Sequence, residues 1–196
     1  MKKLIVALMF LSSVVFADVV TRIGMTTQSG DITDTAKAPV PPYTIEDTGT
    51  YKEKGVNIAG GLEFYDGGQA GVRALLEYNK VSGDMSIAGV TDSIKSSEFL
   101  ITGEIFFMVD ELFKPMVTAS LGKGSTQLDT LDIDYATVKV GVGATGQFNN
   151  NFGYYAKIER SAREYQEIKY LVSGIPVTET IETDATVFTA GLQITF

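Results

Sequence analysis

Apolar residues recur at every second position along eight separate stretches of the chain, and no other feature narrows its fold so far. Successive side chains of a strand point to opposite faces, so this period marks strands with two chemically different sides. The stretches are 19–27, 56–65, 72–81, 98–108, 115–123, 135–148, 154–163 and 183–196. Three connections, 66–70, 109–114 and 149–153, are brief and contain the turn formers Gly, Asn or Asp. The other four, 28–55, 82–97, 124–134 and 164–182, are long. The last should carry a hairpin around Ser173 and Gly174. The first contains Pro39, Pro41 and Pro42 and is expected to be irregular. Tight turns at one end and long loops at the other describe an all-β, eight-stranded, antiparallel up-and-down transmembrane β-barrel.

Alternation alone also fits a soluble sandwich, so the composition of the two faces decides. One face carries Ile23, Met25, Ile58, Leu76, Ile101, Ile105, Val140, Ile158 and Leu192, with no charge before Lys80 and Arg160. Phe64, Tyr78, Phe99, Phe107, Tyr154, Phe188 and Phe196 fall toward the ends of its stretches, where interfacial aromatics belong. The other face is mostly small residues such as Gly24, Ala59, Thr102, Ser120 and Gly141, which suit the narrow interior of an eight-stranded barrel. Arg22, Arg73, Lys139 and Lys157 share that face with Glu63, Glu77, Glu104 and Glu159. Charges withdrawn from water must be paired, which predicts an interior ion-pair network.

Met1-Lys2-Lys3, the apolar run that follows and the small Ala17 read as a secretory signal peptide over 1–17, leaving the barrel at 18–196. Without Lys2 and Lys3 the chain has 14 basic and 24 acidic residues, a formal charge of −10. That balance argues against a nucleic-acid partner, which needs clustered cations. Cys is absent, so no disulfide holds the fold, and His is absent, which removes the commonest proton shuttle of hydrolases and acyltransferases. Glu77 and Glu104 suit ion pairing better than acid–base catalysis. Gly141, Gly143 and Gly146 match a dinucleotide fingerprint by spacing, but no helix follows to hold a pyrophosphate. Asp129, Asp132 and Asp134 lack the spacing of a calcium loop and read as a solvated acidic stretch. No metal or cofactor is expected.

The terminal "LQITF", with "KPMVTASLGKG", "VKVGVGATGQF" and "YYAKIER" before it, resembles the eight-stranded outer-membrane β-barrel family of the OmpA transmembrane domain, OmpX and the opacity-type surface proteins. The resemblance implies export to the bacterial outer membrane, contact with its lipids and lipopolysaccharide, and recognition of Leu192, Ile194 and Phe196 by the barrel assembly machinery. It implies a non-enzymatic barrel whose loops serve envelope integrity or bind host or cell-surface ligands. The alternative is a narrow pore for ions or small solutes. The acidic loops are expected to repel anionic lipopolysaccharide unless divalent cations bridge the two. The chain lacks the Trp common in the family's girdles, so Phe and Tyr must serve there.

Overall fold

The computed structural model describes residues 17–39, 42–65, 68–128 and 131–196. The expected signal peptide lies outside them except for Ala17, as do Pro41 and Asp129. Nine strands follow in order: β1 (Asp18–Pro39), β2 (Pro42–Tyr65), β3 (Ala70–Ile87), β4 (Val90–Phe107), β5 (Lys114–Leu128), β6 (Leu131–Gln147), β7 (Phe152–Tyr165), β8 (Ile168–Val172) and β9 (Ile175–Thr195). Each of the first six pairs antiparallel with the next, β7 pairs with β9, and β9 returns to β1. β8 prolongs the line of β7. Glu164 stands opposite Glu182 and Ile168 opposite Glu179, so one extra residue is accommodated as a bulge between them. The wall is thus eight strands around.

The register fixes the tilt. Starting at Arg22, the pairing runs through Ala59, Glu77, Leu100, Gly122, Thr137, Arg163 and Thr183 and arrives at Ile32, ten residues further along β1. Closure with such a stagger inclines the strands by roughly 35–45° and leaves an interior only wide enough for side chains.

The outer face at the turn end is apolar. Ile23, Met25, Leu76, Ile101, Leu121, Val142 and Leu192 all point into the surroundings, Ile101 with 69 % of its surface exposed. On β4 the band runs from Phe99 to Phe107 without a charge. Phe107, Phe148, Phe152 and Phe196 are exposed at the turn end, and Phe99 and Phe188 at the other. Tyr78 stacks on Phe99 at that upper edge with ring centroids 4.7 Å apart.

Beyond the band the structure departs from expectation. The long connections are mostly strand. β1 and β2 stay paired from Thr27 opposite Lys54 to Pro39 opposite Pro42, so the connection expected to be irregular is a regular hairpin as far as it is described. Pro39 and Pro42 sit at its described end, where a missing N–H interrupts little of the ladder. These extensions were hidden because both environments changed. Above the band the outer face meets water and carries Ser29, Asp31, Thr33, Lys52 and Lys54, so apolar alternation disappears. Only the inner face keeps apolar groups: Ile32, Ile133, Tyr135, Tyr165 and Ile181 pack together, beside a second cluster of Tyr51, Ile94 and Ala185. The upper barrel therefore has a hydrophobic core of its own. Two of its hairpins close through pairs of positive-φ residues, Ala88–Gly89 (φ 49° and 83°) and Ser173–Gly174 (52° and 83°), the conformation of tight type I′ turns.

Candidate functional site: the filled lumen and the outer hairpins

The period of two puts alternate side chains of every strand inside, and the ten-residue stagger brings distant strands to one level. Arg73 on β3 stands directly between Glu63 on β2 and Glu104 on β4. Its Nε donates to Glu63 at 2.6 Å, Nη1 lies 3.4 Å from Glu104, and the guanidinium stacks 4.3 Å from the Phe106 ring centre. Arg22 on β1 crosses the lumen to Glu104 through two N–H···O bonds of 2.6 and 2.8 Å and also donates to Gln193 at 3.0 Å. Its guanidinium lies 4.6 Å from the Tyr155 ring centre. Opposite that ring, Gly24 leaves the room: a Cβ there would come within 2.4 Å of the Tyr155 hydroxyl oxygen.

Lys157 on β7 donates to Glu77 at 2.9 Å and lies 3.3 Å from Glu159, which accepts from Thr118 at 3.1 Å. Gly143 and Gly141 face Lys157 and Glu159 across the ladder. They stand in the middle of a strand, with no helix after them, so the dinucleotide context is missing. Lys139 pairs with Glu98. All eight charged residues singled out from the sequence thus lie inside the barrel, each at most 6 % exposed.

Four more buried charges were not singled out, and three of them belong to the same ion-pair system. Glu98 accepts from Asn79 at 2.9 Å as well as from Lys139, and lies 3.7 Å from Arg163. Arg163 donates to Glu53 at 3.1 Å, and Glu53 also accepts from Ser96 at 2.6 Å and from Gln28. Each carries a signal in its parity: Glu53 keeps step with Glu63, Glu98 with Glu104, and Arg163 with Lys157. Lys114, at the turn end, donates to Gln147 at 3.1 Å. Among the described residues the buried charges are then six carboxylates (Glu53, Glu63, Glu77, Glu98, Glu104, Glu159) and six cations (Arg22, Arg73, Lys114, Lys139, Lys157, Arg163). A balanced interior satisfies the requirement that buried ions be compensated.

Immediately above, the Tyr135 ring centre lies 4.6 Å from the Arg163 guanidinium, and Tyr135 stacks on Tyr165 at 5.1 Å. The apolar cluster of the upper barrel therefore sits as a lid on the charged layer. The hairpin ends project beyond it and expose Tyr43 and Ile45, Val90, Leu131, and Tyr170, Leu171 and Val172. Asp132 and Asp134 point outward on β6, and among the described residues no group of three or more acidic side chains is placed to hold a metal ion.

At the chain's last strand, Leu192 stands opposite Ile23 and Tyr154, and Ile194 opposite Thr21 and Phe152. Phe196 exchanges backbone hydrogen bonds with Val19, 2.9 and 3.2 Å long, while its ring is 70 % exposed at the rim.

A closed wall with its apolar side outward and its charges inward can be compared with known structures. The fold is that of the eight-stranded outer-membrane β-barrels. The outer membrane protein OprG from Pseudomonas aeruginosa superposes with a TM-score of 0.59 at 11 % identity, over 92 % of this chain and 96 % of that one. Neisserial surface protein A gives 0.55 at 14 % identity, over 88 % and 97 %. AlkL, determined in lipid bilayers, gives 0.52 at 10 % identity, over 92 % and 90 %. No family model and no curated protein sequence matches the chain. The shared property of this transmembrane barrel and those structures is architecture, and its chemistry must be argued from its own residues.

Proposed function

We propose that the protein is a non-enzymatic barrel of the bacterial outer membrane that holds outer hairpins at the cell surface for contact with host or neighbouring-cell ligands, with a supporting role in envelope integrity. Export through the signal peptide, insertion by the barrel assembly machinery reading Leu192, Ile194 and Phe196, and a surrounding of lipid and lipopolysaccharide are parts of this reading. The observation that carries it is the filled interior beneath exposed tips. Six carboxylates, six cations and an apolar lid occupy the lumen, while each of the four hairpin ends presents apolar side chains to solvent. Exposed apolar groups on a rigid scaffold are characteristic of interaction surfaces.

The test is adhesion of cells carrying the protein, to one another and to host cells, compared with a variant bearing Tyr170→Ser, Leu171→Ser and Val172→Ser. Adhesion should fall toward that of cells lacking the protein, with the heat-dependent gel migration of the barrel unchanged. Unaltered adhesion together with detergent sensitivity in cells lacking the protein would leave only the envelope role.

A narrow pore is the second reading, favoured by one observation. Below the lid, Arg163 Nε and Nη2, the Tyr51 hydroxyl and Thr183 Oγ1 are buried without hydrogen-bond partners, so this level has polar groups that water or an ion would satisfy. Single-channel recording of the purified barrel separates the two readings: a quiet bilayer fits the anchor, steady conductance steps the pore.

A further inference from the structure

The outward charges above the apolar band are sorted by side. On β2 to β5 they are Lys52, Lys54, Lys80, Lys95 and Lys123 against Asp84 and, near the hairpin end, Glu46. On β6, β7, β9 and β1 they are Asp134, Glu164, Glu182, Asp184 and Asp31, with Asp132 above; Arg160 and, near the hairpin end, Lys37 oppose them. Arg160 is neutralised by Asp184 at 2.5 Å. None of the five lysine ammonium groups takes part in a hydrogen bond or ion pair with another described residue. In a chain with 24 acidic residues and 16 basic ones, five unpartnered cations on one side are not explained by internal pairing.

Their arrangement is compact. Lys54 stands opposite Ser82, and Ser82 opposite Lys95, which puts two ammonium groups on either side of a hydroxyl in one row across three strands. Neighbouring strands are about 4.8 Å apart, so the two lysine backbones are separated by about 10 Å. Lys80 lies one outward position lower, opposite Val56 and Ser97. Directly beneath come the stacked Tyr78 and Phe99, and below them Leu76 and Ile101. A groove of about 510 Å³ opens beside this row, lined by Lys52, Lys54, Ser82 and Phe188 among others.

From the tips toward the turns the flank therefore reads cations and hydroxyls, then aromatic rings, then aliphatic surface. That is the order of groups in an amphiphile with an anionic head, a ring-sized middle and acyl chains. We infer that the β2–β5 flank, centred on Lys54, Lys80 and Lys95, is a docking surface for a phosphate-bearing glycolipid of the outer leaflet, the lipid A portion of lipopolysaccharide. Lysines at a membrane margin attract anionic headgroups, and long stems let the ammonium reach phosphate while the methylenes stay against the wall. The acidic flank opposite excludes the same headgroup, so one side of the barrel binds and the other does not. The expected general repulsion between this acidic protein and lipopolysaccharide is confined to that second side.

This inference rests on the outer-membrane placement proposed above, and the experiment keeps the two apart. The full barrel is folded in detergent and titrated with fluorescent bisphosphorylated lipid A and with its dephosphorylated form. Heat-dependent migration certifies each variant as folded. Combining Lys54→Gln, Lys80→Gln and Lys95→Gln should raise Kd at least tenfold, and dephosphorylation should do the same to the unmodified protein without further effect on the variant. Asp134→Asn with Glu164→Gln should change Kd less than twofold. Equal affinity of the folded triple variant, equal affinity for both lipids, or displacement by millimolar inorganic phosphate as effective as by lipid A would each overturn the assignment. Failure of the unmodified protein to insert into lipid vesicles would instead remove the membrane placement itself.

Discussion

Arg22 on β1 and Glu104 on β4 are joined by two parallel hydrogen bonds across the lumen, although their strands are not neighbours in the wall. Bidentate pairing of this kind fixes direction as well as distance. Arg73 leans on the same carboxylate, so one glutamate compensates two guanidinium groups.

Glu104→Ala should therefore be costly, since it strands two buried cations. Removing one member of a buried ion pair costs about 3–5 kcal/mol. Glu104→Gln, which keeps an acceptor, should cost less. Because the chain has no Trp, urea unfolding is best followed by circular dichroism in detergent or lipid. Equal stability of Glu104→Ala and the unmodified protein would mean that the network contributes nothing to the fold.

Adjacent residues on β4 should respond in opposite ways. Ile101→Arg places a charge on the lipid face near mid-band, where the penalty is about 2–4 kcal/mol. Thr102→Ala removes one hydrogen bond, to Ser120 at 2.8 Å, worth about 1 kcal/mol. Unfolding midpoints in phospholipid vesicles read both. A soluble sheet with its apolar face inside would not penalise a charge at position 101 through lipid at all.

Asp34, inside the mouth of the upper barrel, has its carboxyl raised from 3.8 to about 6 by partial burial and by repulsion from Glu179 and Asp47. A raised folded pKa means that the fold prefers the protonated acid. The stabilisation is complete below about pH 4 and disappears as pH rises through about 6. Amide exchange near residues 34 and 179 should accelerate between pH 5 and 7 beyond the intrinsic chemical rate, and Asp34→Asn should flatten that rise. An unchanged profile in Asp34→Asn would assign the effect elsewhere.

For the terminal residue the expected effect is kinetic. Phe196→Ser should delay the appearance of the heat-modifiable form in cells several-fold while leaving refolding of purified protein into vesicles nearly unchanged, because the backbone bonds to Val19 survive the substitution. Equal delay in both settings would make the ring a stability element instead of an assembly signal.

Parity made the membrane-level wall legible. Once Ile101 faces lipid, Leu100 and Thr102 must face inward, and the same rule carries every strand between its turn and its last apolar outer residue. Parity continues through Glu53, Glu98 and Arg163, but a strand is recognised from sequence by contrast between its faces. Near Glu53 both faces are polar, with Lys52 and Lys54 outside, so the stretch resembles a loop until its partner strand is seen. The polar partners Asn57, Asn79 and Gln193 are invisible for another reason: their role depends on which strands the stagger brings level, and no local pattern encodes the stagger. The lid of Ile133, Tyr135 and Tyr165 was hidden by both effects.

The seam between β1 and β9 joins Val20 to Thr195, residues from opposite ends of the described chain. A ribosome-emerging fragment ending anywhere before β9 would present two unsatisfied strand margins, which hydrocarbon does not tolerate. Under the export proposed above, insertion becomes an all-or-nothing event that waits for β9, and truncation of β9 should yield a periplasmic degradation substrate with no smaller membrane protein in its place.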